Sequence, residues 1–269
     1  MDLSDVIDRN AAFAPDKVAI RFADAALTYA GLAQRIALAA RALKSQLGVG
    51  LGDRVAILAA NHPDYLVLLY ACARLGALLV PLNWRLAVPE QVYILRDASV
   101  KVLVVEESLA AVCVPLAEAL PEAHGVGLDF KPAGGTSLAE LLAGASGDGR
   151  HARVDTSSPL LIVYTSGTTG RPKGAVLRQD ALAANAAMSQ HMHDMTADDH
   201  VLTVLPMFHV GGMNIQTTPA LQLGATVTLL ARFSPDATLD AIERDRPTLT
   251  VLVPATIQAL LEHPRWEKA

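Results

Sequence analysis

Residues 164–174 are the most informative stretch of the chain and read Tyr164-Thr165-Ser166-Gly167-Thr168-Thr169-Gly170-Arg171-Pro172-Lys173-Gly174. It places glycines, hydroxyl side chains and a lysine directly after the apolar run at residues 160–163. Glycines let backbone N–H groups turn towards an anion, hydroxyls donate to phosphate oxygens, and lysine adds a mobile positive charge. The stretch therefore predicts a loop that binds a polyphosphate. The alternative, a solvated turn, leaves the lysine and the buried strand before it unexplained.

The rival phosphate-binding loop is the Walker A motif, which ends in Gly-Lys-Ser/Thr and opens a helix. Here Lys173 follows Pro172, and Gly174 occupies the position of the magnesium-binding hydroxyl. Residues 175–177 have the composition of a strand rather than a helix. The sequence therefore predicts a long hairpin loop between two strands, and it excludes the Walker A motif.

Residues 165–174 resemble, without a departure, the phosphate-binding signature of the adenylate-forming enzymes, the family that includes acyl-CoA synthetases and firefly luciferase. In that family the loop closes over the β- and γ-phosphates of ATP. The resemblance implies hydroxyl donors, glycines that give mobility, and a lysine that holds the departing pyrophosphate. The implied cofactor-binding residues are Thr165, Ser166, Gly167, Thr168, Thr169, Gly170 and Lys173, with Lys173 and Thr168 as the catalytic candidates.

Composition narrows the class of protein. The 269 residues carry a net charge of −5 and a pI near 5.9, so no basic surface for nucleic acid is expected. Cys72 and Cys113 lie in apolar segments and are predicted to be buried free thiols. Residues 1–5 are polar and acidic, and the apolar run at 65–73 is too short to cross a bilayer. We expect a cytoplasmic protein without a transmembrane segment.

Helical and strand periodicities alternate along the chain, which predicts an α/β fold with doubly wound, mostly parallel sheets and flanking helices. A helix at 32–47 should end at Gly48, and a helix at 65–75, capped by Asp64, should be interior because it is apolar on nearly all sides. Residues 125–158 have weak periodicity and predict a flexible connection. We therefore expect two subdomains, 1–158 and 159–269. In the second, helices are predicted at 180–192, 213–223, 236–245 and 256–261, and strands at 201–205, 226–230 and 248–253.

A second candidate site follows the predicted strand at 201–205, where the segment 205–212 reads Leu-Pro-Met-Phe-His-Val-Gly-Gly. The carboxyl ends of strands are where ligands bind in open α/β sheets. A loop histidine with glycines that serve only the turn is the alternative. The segment is similar to the acyl-CoA synthetase segment that lines the carboxylate and pantetheine channel. The resemblance implies that His209 lines the substrate pocket and that Gly211 and Gly212 allow close approach of substrate or CoA. It gives no support for a general base.

Three further segments are weaker candidates. Residues 81–86 resemble another family stretch, although a structural ion pair of Arg85 is the preferred interpretation. Residues 253–256 are a secondary pocket candidate, because Pro254 is also ordinary at the first turn of a helix. A polar cluster offers ligand types that suit a metal, but its spacing favours a solvated helix end, so no metal site is predicted. Its members are His191, His193, Asp194, Asp198, Asp199 and His200.

The resemblance implies a two-step reaction, in which a carboxylic acid is adenylated by ATP with Mg²⁺ and the acyl group is then transferred to coenzyme A. Apolar residues around His209 favour a fatty acid, and short-chain, dicarboxylic and aryl acids remain open. The family's later segments and its small C-terminal domain are not found in these 269 residues. We therefore expect an incomplete N-terminal domain, whose open sheet edges would pair with the missing portion or self-associate. The alternative is a non-catalytic nucleotide-binding or structural remnant of the family.

Overall fold

The computed structural model describes residues 1–165 and 171–268. Its strands are β1 (Val18–Phe22), β2 (Ala25–Thr28), β3 (Arg54–Leu58), β4 (Leu78–Pro81), β5 (Val102–Val105), β6 (His124–Gly127), β7 (Thr136–Ser137), β8 (Pro159–Thr165), β9 (Lys173–Arg178), β10 (His200–Thr203), β11 (Thr226–Leu229) and β12 (Leu249–Thr250). Its α-helices are α1 (Asp5–Phe13), α2 (Tyr29–Leu47), α3 (Pro63–Leu75), α4 (Val88–Asp97), α5 (Cys113–Ala119), α6 (Leu138–Ala143), α7 (Gln179–Met192), α8 (Val210–Met213), α9 (Thr217–Leu223), α10 (Pro235–Asp245) and α11 (Pro254–Leu261). Two 3₁₀ segments cover Glu107–Val112 and Trp266–Lys268.

The described strands form two sheets, one in each of two compact units. The first unit, Met1–Asp5, Gln34–Ala60 and Asp64–Ala181, contains the order β7-β6-β5-β3-β4-β8-β9. The second unit, Val6–Ala33, Asn61–Pro63 and Leu182–Ala269, contains the order β12-β10-β11-β1-β2. Neighbouring strands are parallel except in the pairs β8–β9 and β1–β2, which are antiparallel. The predicted α/β class with mostly parallel sheets and flanking helices is confirmed.

The division between the units differs from the predicted boundary at residue 158. Strand β8 pairs in parallel with β4 through Leu79 and Leu161, so it joins the sheet that the earlier strands build. The predicted connection at 125–158 also contains β7 and α6. A capping box starts α6: Ser137 Oγ accepts from Glu140 N, and the Glu140 carboxylate accepts from Ser137 N. The pairing of β8 with β4 therefore places the residues that follow 158 in the first unit, although the weak periodicity of residues 125–158 predicted a boundary there.

Helix α3 is interior, as its apolar sequence predicts, because every residue from Asp64 to Leu75 is buried. The predicted cap is wrong, since the helix begins at Pro63 and Asp64 lies in its first turn. The Asp64 carboxylate instead accepts two hydrogen bonds from the Arg35 guanidinium, at 2.6 and 2.8 Å. Helix α2 ends as predicted at Gly48, whose φ is +60°.

Several predicted elements are shorter or divided. The helix predicted at 213–223 is divided into α8 and α9, and the strand predicted at 248–253 is reduced to β12. The core of the first unit packs β3, β4 and β5 against α4 and α5. Within residues 1–165 and 171–268, no helix combines the length and apolar character that crossing a membrane requires.

Candidate functional site

The predicted phosphate loop connects β8 and β9. The two strands pair antiparallel from Pro159 opposite Arg178 to Thr165 opposite Lys173, which confirms the hairpin. Five predicted site residues fall outside the described residues, so their roles stay predictions. They are Ser166, Gly167, Thr168, Thr169 and Gly170.

The neck of the loop is formed by the last pair of this ladder, Thr165 and Lys173. Directly opposite residues of an antiparallel pair project to the same face of a sheet. Both residues are exposed. The hydroxyl of Thr165 and the ammonium of Lys173 are thus held on one face at the base of the predicted loop.

The preceding pair of the ladder explains Gly174. A Cβ at this position would lie 2.8 Å from Ile162 Cγ2 and 3.0 Å from the Cζ atom of Tyr164. Gly174 therefore leaves room for the Tyr164 ring. The sequence alone indicated only that Gly174 lacks the hydroxyl of a Walker A motif. The Tyr164 hydroxyl donates to the Asp97 carboxylate over 2.6 Å. Burial, followed by this hydrogen bond and the negative charge of Asp97, raises the pKa of Tyr164.

The second candidate site is the turn between β10 and α8. His209 is the N-cap of α8, and its Nδ1 accepts from Gly211 N over 3.0 Å. The side chain of His209 is exposed. A Cβ at Gly212 would lie 2.3 Å from the carbonyl oxygen of Pro206 and 2.4 Å from that of Leu205, whereas a Cβ at Gly211 would meet His209 Nδ1 at 3.1 Å. The structure brings His209, Gly211 and Gly212 together. Position 212 requires glycine because of the nearby backbone carbonyls, whether or not a ligand binds.

A narrow cleft borders this turn, within the second unit. Gly211, Gly212, Gln216 and Thr217 line it, together with residues 202–205 and Val251. The Thr217 hydroxyl donates to the carbonyl of Gly212 over 2.6 Å. The Oε1 atom of Gln216 is buried, and no described residue donates to it. An unpaired buried carbonyl costs about 1–3 kcal/mol, so a donor that reached Gln216 Oε1 would be stabilised. Sequence reasoning did not identify Gln216, because nothing local distinguishes it.

The weaker candidates have structural roles. The guanidinium of Arg85 lies 5.1 Å from the ring centroid of Trp84. Pro254 is the first residue of α11, and the Thr256 hydroxyl accepts from Val253 N over 2.9 Å.

Cys72 is buried as predicted, whereas Cys113 is only half-buried, and both are free.

Side chains of the polar cluster near residue 200 form hydrogen bonds with nearby threonines. Asp199 accepts from Thr196 N and from the Thr248 hydroxyl, at 2.6 and 2.7 Å, and these bonds lower the pKa of Asp199. His200 Nε2 lies 2.8 Å from the Thr228 hydroxyl. In the described part of the chain, no group of three His, Cys, Asp or Glu residues could hold a metal ion.

Comparison with known proteins identifies several similar sequences. Over 271 aligned residues the chain is 51% identical to the indoleacetate–CoA ligase of Aromatoleum aromaticum, covering 100% of this chain and 53% of that protein. It is 40% identical to a feruloyl-CoA synthase of an Amycolatopsis species, covering 97% and 50%. It is 34% identical to the long-chain-fatty-acid–CoA ligase FadD13 of Mycobacterium tuberculosis, covering 90% and 47%. The chain thus spans about half the length of these relatives.

Solved structures agree with the sequence matches. The inhibitor-bound N-terminal domain of FACL13 from Mycobacterium tuberculosis has a TM-score of 0.87 at 29% identity, covering 99% of this chain and 66% of that chain. ATP-bound MatB from Rhodopseudomonas palustris has a TM-score of 0.83 at 31% identity, covering 98% and 52%. The AMP-binding enzyme family matches residues 7–269. The resemblance seen at residues 165–174 is confirmed, and the chain belongs to the AMP-binding enzyme family of adenylate-forming acid–CoA ligases.

Proposed function

We propose that the protein carrying this chain joins a carboxylic acid to coenzyme A at the expense of ATP, releasing AMP and pyrophosphate. In the first step a carboxylate oxygen attacks the α-phosphorus, and the bond to pyrophosphate breaks. In the second step the sulfur of coenzyme A attacks the acyl carbon, the bond to AMP breaks, and the thiol proton is released. The observation that carries the proposal is the β8–β9 hairpin, which sets Lys173 opposite Thr165 at the neck of the family signature.

The chain's own residues act by positioning and by charge. The ammonium of Lys173 would neutralise the charge that grows on the departing pyrophosphate, and Thr165, Ser166, Thr168 and Thr169 would donate to phosphate oxygens. Gly167 and Gly170 would let the loop close. Mg²⁺ bound with ATP would supply positive charge at the phosphates, and none of the described residues is proposed as its ligand. We therefore assign no step to the metal.

For the acid, we propose the turn around His209 and the cleft at Gly211 and Gly212 as the binding region. The relatives are named for indoleacetate, ferulate and long-chain fatty acids. The higher identity to the indoleacetate enzyme favours an aryl acid over the fatty acid that the sequence suggested. A fatty acid remains the second candidate, supported by the match to FadD13. The half of the relatives' length that this chain does not span would supply further contacts to the nucleotide.

The test is acid-dependent exchange of pyrophosphate into ATP, measured on the protein at its natural length with indoleacetate, ferulate and palmitate. Lys173→Ala should lower the exchange rate about 100-fold, the typical loss of one charge-stabilising donor. Lys131→Ala is the matched control, because Lys131 forms only an exposed ion pair with Glu140. ATP binding without exchange for any acid would refute the ligase and support the non-catalytic alternative.

A further inference from the structure

The outer half of the phosphate hairpin has little support from its own sheet. Strand β9 is at the end of the sheet order, and all its residues except Leu177 are exposed. On the other side, β8 pairs with β4 at Leu161, four residues before the neck of the loop at Thr165. Backbone hydrogen bonds between β8 and β9 hold the two limbs together, but they do not fix the direction in which the hairpin points. Another element must set that direction.

Helix α4 provides the first attachment, on the limb that leads into the loop. Tyr164, the residue before Thr165, donates its hydroxyl to the Asp97 carboxylate over 2.6 Å. Asp97 is the last residue of α4. The Tyr164 ring packs against the core cluster of the first unit, and Gly174 leaves the space it occupies. A short hydrogen bond to a charged acceptor is stronger than one between neutral groups.

The same helix provides a second attachment, on the limb that leaves the loop. The Tyr93 hydroxyl donates to the carbonyl oxygen of Pro172 over 3.4 Å, a long and therefore weaker bond. Tyr93 also packs against the same core cluster as Tyr164. Residues 93 and 97 are one helical turn apart, so one face of α4 holds both limbs of the hairpin at the neck of the loop.

We propose that Tyr164 and Asp97 are positioning residues for ATP, because they fix the neck of the hairpin against α4 and thereby hold Thr165 and Lys173 where the phosphates bind. The inference rests on the proposed function for the identity of the ligand. The attachment of the hairpin to α4 is a property of the fold and does not depend on the proposed function. An ordinary tyrosine hydroxyl is protonated at physiological pH, and burial raises the pKa of Tyr164 further, so the hydroxyl is a donor.

The test is a double-mutant cycle with Tyr164→Phe and Asp97→Ala, with pyrophosphate exchange as the readout. Loss of one hydrogen bond should raise the KM for ATP about 3- to 10-fold, while the KM for the acid stays unchanged. The double variant should be no worse than either single variant, because both remove the same bond. Tyr65→Phe is the matched control. It removes a buried tyrosine hydroxyl bonded to the Ala59 carbonyl at 3.1 Å, in the same unit, and this bond involves neither α4 nor the hairpin.

A second measurement separates this inference from the proposed function. Hydrogen exchange of the amides in β9 can be followed without any substrate, and both Tyr164→Phe and Asp97→Ala should accelerate it about 3- to 10-fold relative to Tyr65→Phe. Absence of pyrophosphate exchange in the wild type would end the proposed function but leave this result interpretable. Unchanged amide exchange, additive effects in the cycle, or an equal rise in the KM for the acid would each overturn the positioning role.

Discussion

Replacing Gly212 with alanine tests whether this glycine serves the fold or only the approach of a ligand. A Cβ there would lie 2.3 and 2.4 Å from the carbonyl oxygens of Pro206 and Leu205. Carbon and oxygen atoms normally approach to about 3.3 Å, so the backbone must move by about 1 Å. Such overpacking costs about 1–3 kcal/mol, against a gain of up to about 1 kcal/mol from replacing glycine in a helix. We expect a net loss of about 1–2 kcal/mol, or about 2–8 °C in Tm.

Gly211→Ala is the matched control, because the nearest atoms to its Cβ are side-chain atoms, His209 Nδ1 at 3.1 Å and Leu205 Cδ1 at 4.0 Å. Neither glycine has a positive φ, so alanine is not excluded by backbone conformation at either position. The stability of Gly211→Ala should stay within about 0.5 kcal/mol of wild type. The assay is urea denaturation followed by far-UV circular dichroism, supported by thermal scans. The packing argument would be refuted if Gly212→Ala were as stable as wild type, or if both variants lost equal stability. Gly212 would then serve only the approach of a ligand.

Three other predictions follow from single contacts. Arg35→Met should cost about 3 kcal/mol at pH 7 in urea denaturation, because it leaves the Asp64 carboxylate, with a side chain 2% exposed, without its guanidinium; equal stability of the variant and wild type would contradict this reasoning. The pKa of Glu140 is lowered to about 2, first by the hydrogen bond from Lys131, so its support of α6 is complete above the usual pKa of 4.5 and is lost as the pH falls towards 2; carboxyl NMR titration checks the midpoint, and a midpoint near 4.5 would contradict the hydrogen bonds. Gln216→Met should raise the free energy of unfolding by about 1 kcal/mol, since it removes the buried carbonyl to which no described residue donates; urea denaturation measures the change, and lower stability would contradict the reasoning.

Local sequence predicted the features that depend on local chemistry. The hairpin followed from the strand composition of residues 175–177, and the interior position of α3 followed from its apolar sides. The predicted cap at Asp64 failed because its partner, Arg35, lies 29 residues earlier and no pattern near residue 64 indicates it. The capping box at Ser137 was readable, since glutamate follows three residues later, but the weak periodicity of the surrounding stretch concealed it.

The contacts that shape the two candidate sites depend on the tertiary fold. Tyr164 and Asp97 are 67 residues apart, and their hydrogen bond follows from the sheet order that sets β8 beside β4. Gly212 is tight against carbonyls of its own turn, a closeness that depends on where β10 ends. The sequence motif therefore shows which chemistry the loop offers, while the tertiary fold determines where that chemistry is held.

The residues that exclude a Walker A loop acquire a positive role in the structure. Pro172 has a fixed φ, and its carbonyl accepts from Tyr93; Gly174 has no side chain, and the Tyr164 ring occupies the space beside it. These two positions flank Lys173, so the backbone on either side of the lysine is held by a tyrosine that packs on the same core cluster. A Walker A lysine is positioned by the helix that follows it. In this hairpin, where a strand follows instead, contacts across the sheet to α4 take the place of that helix.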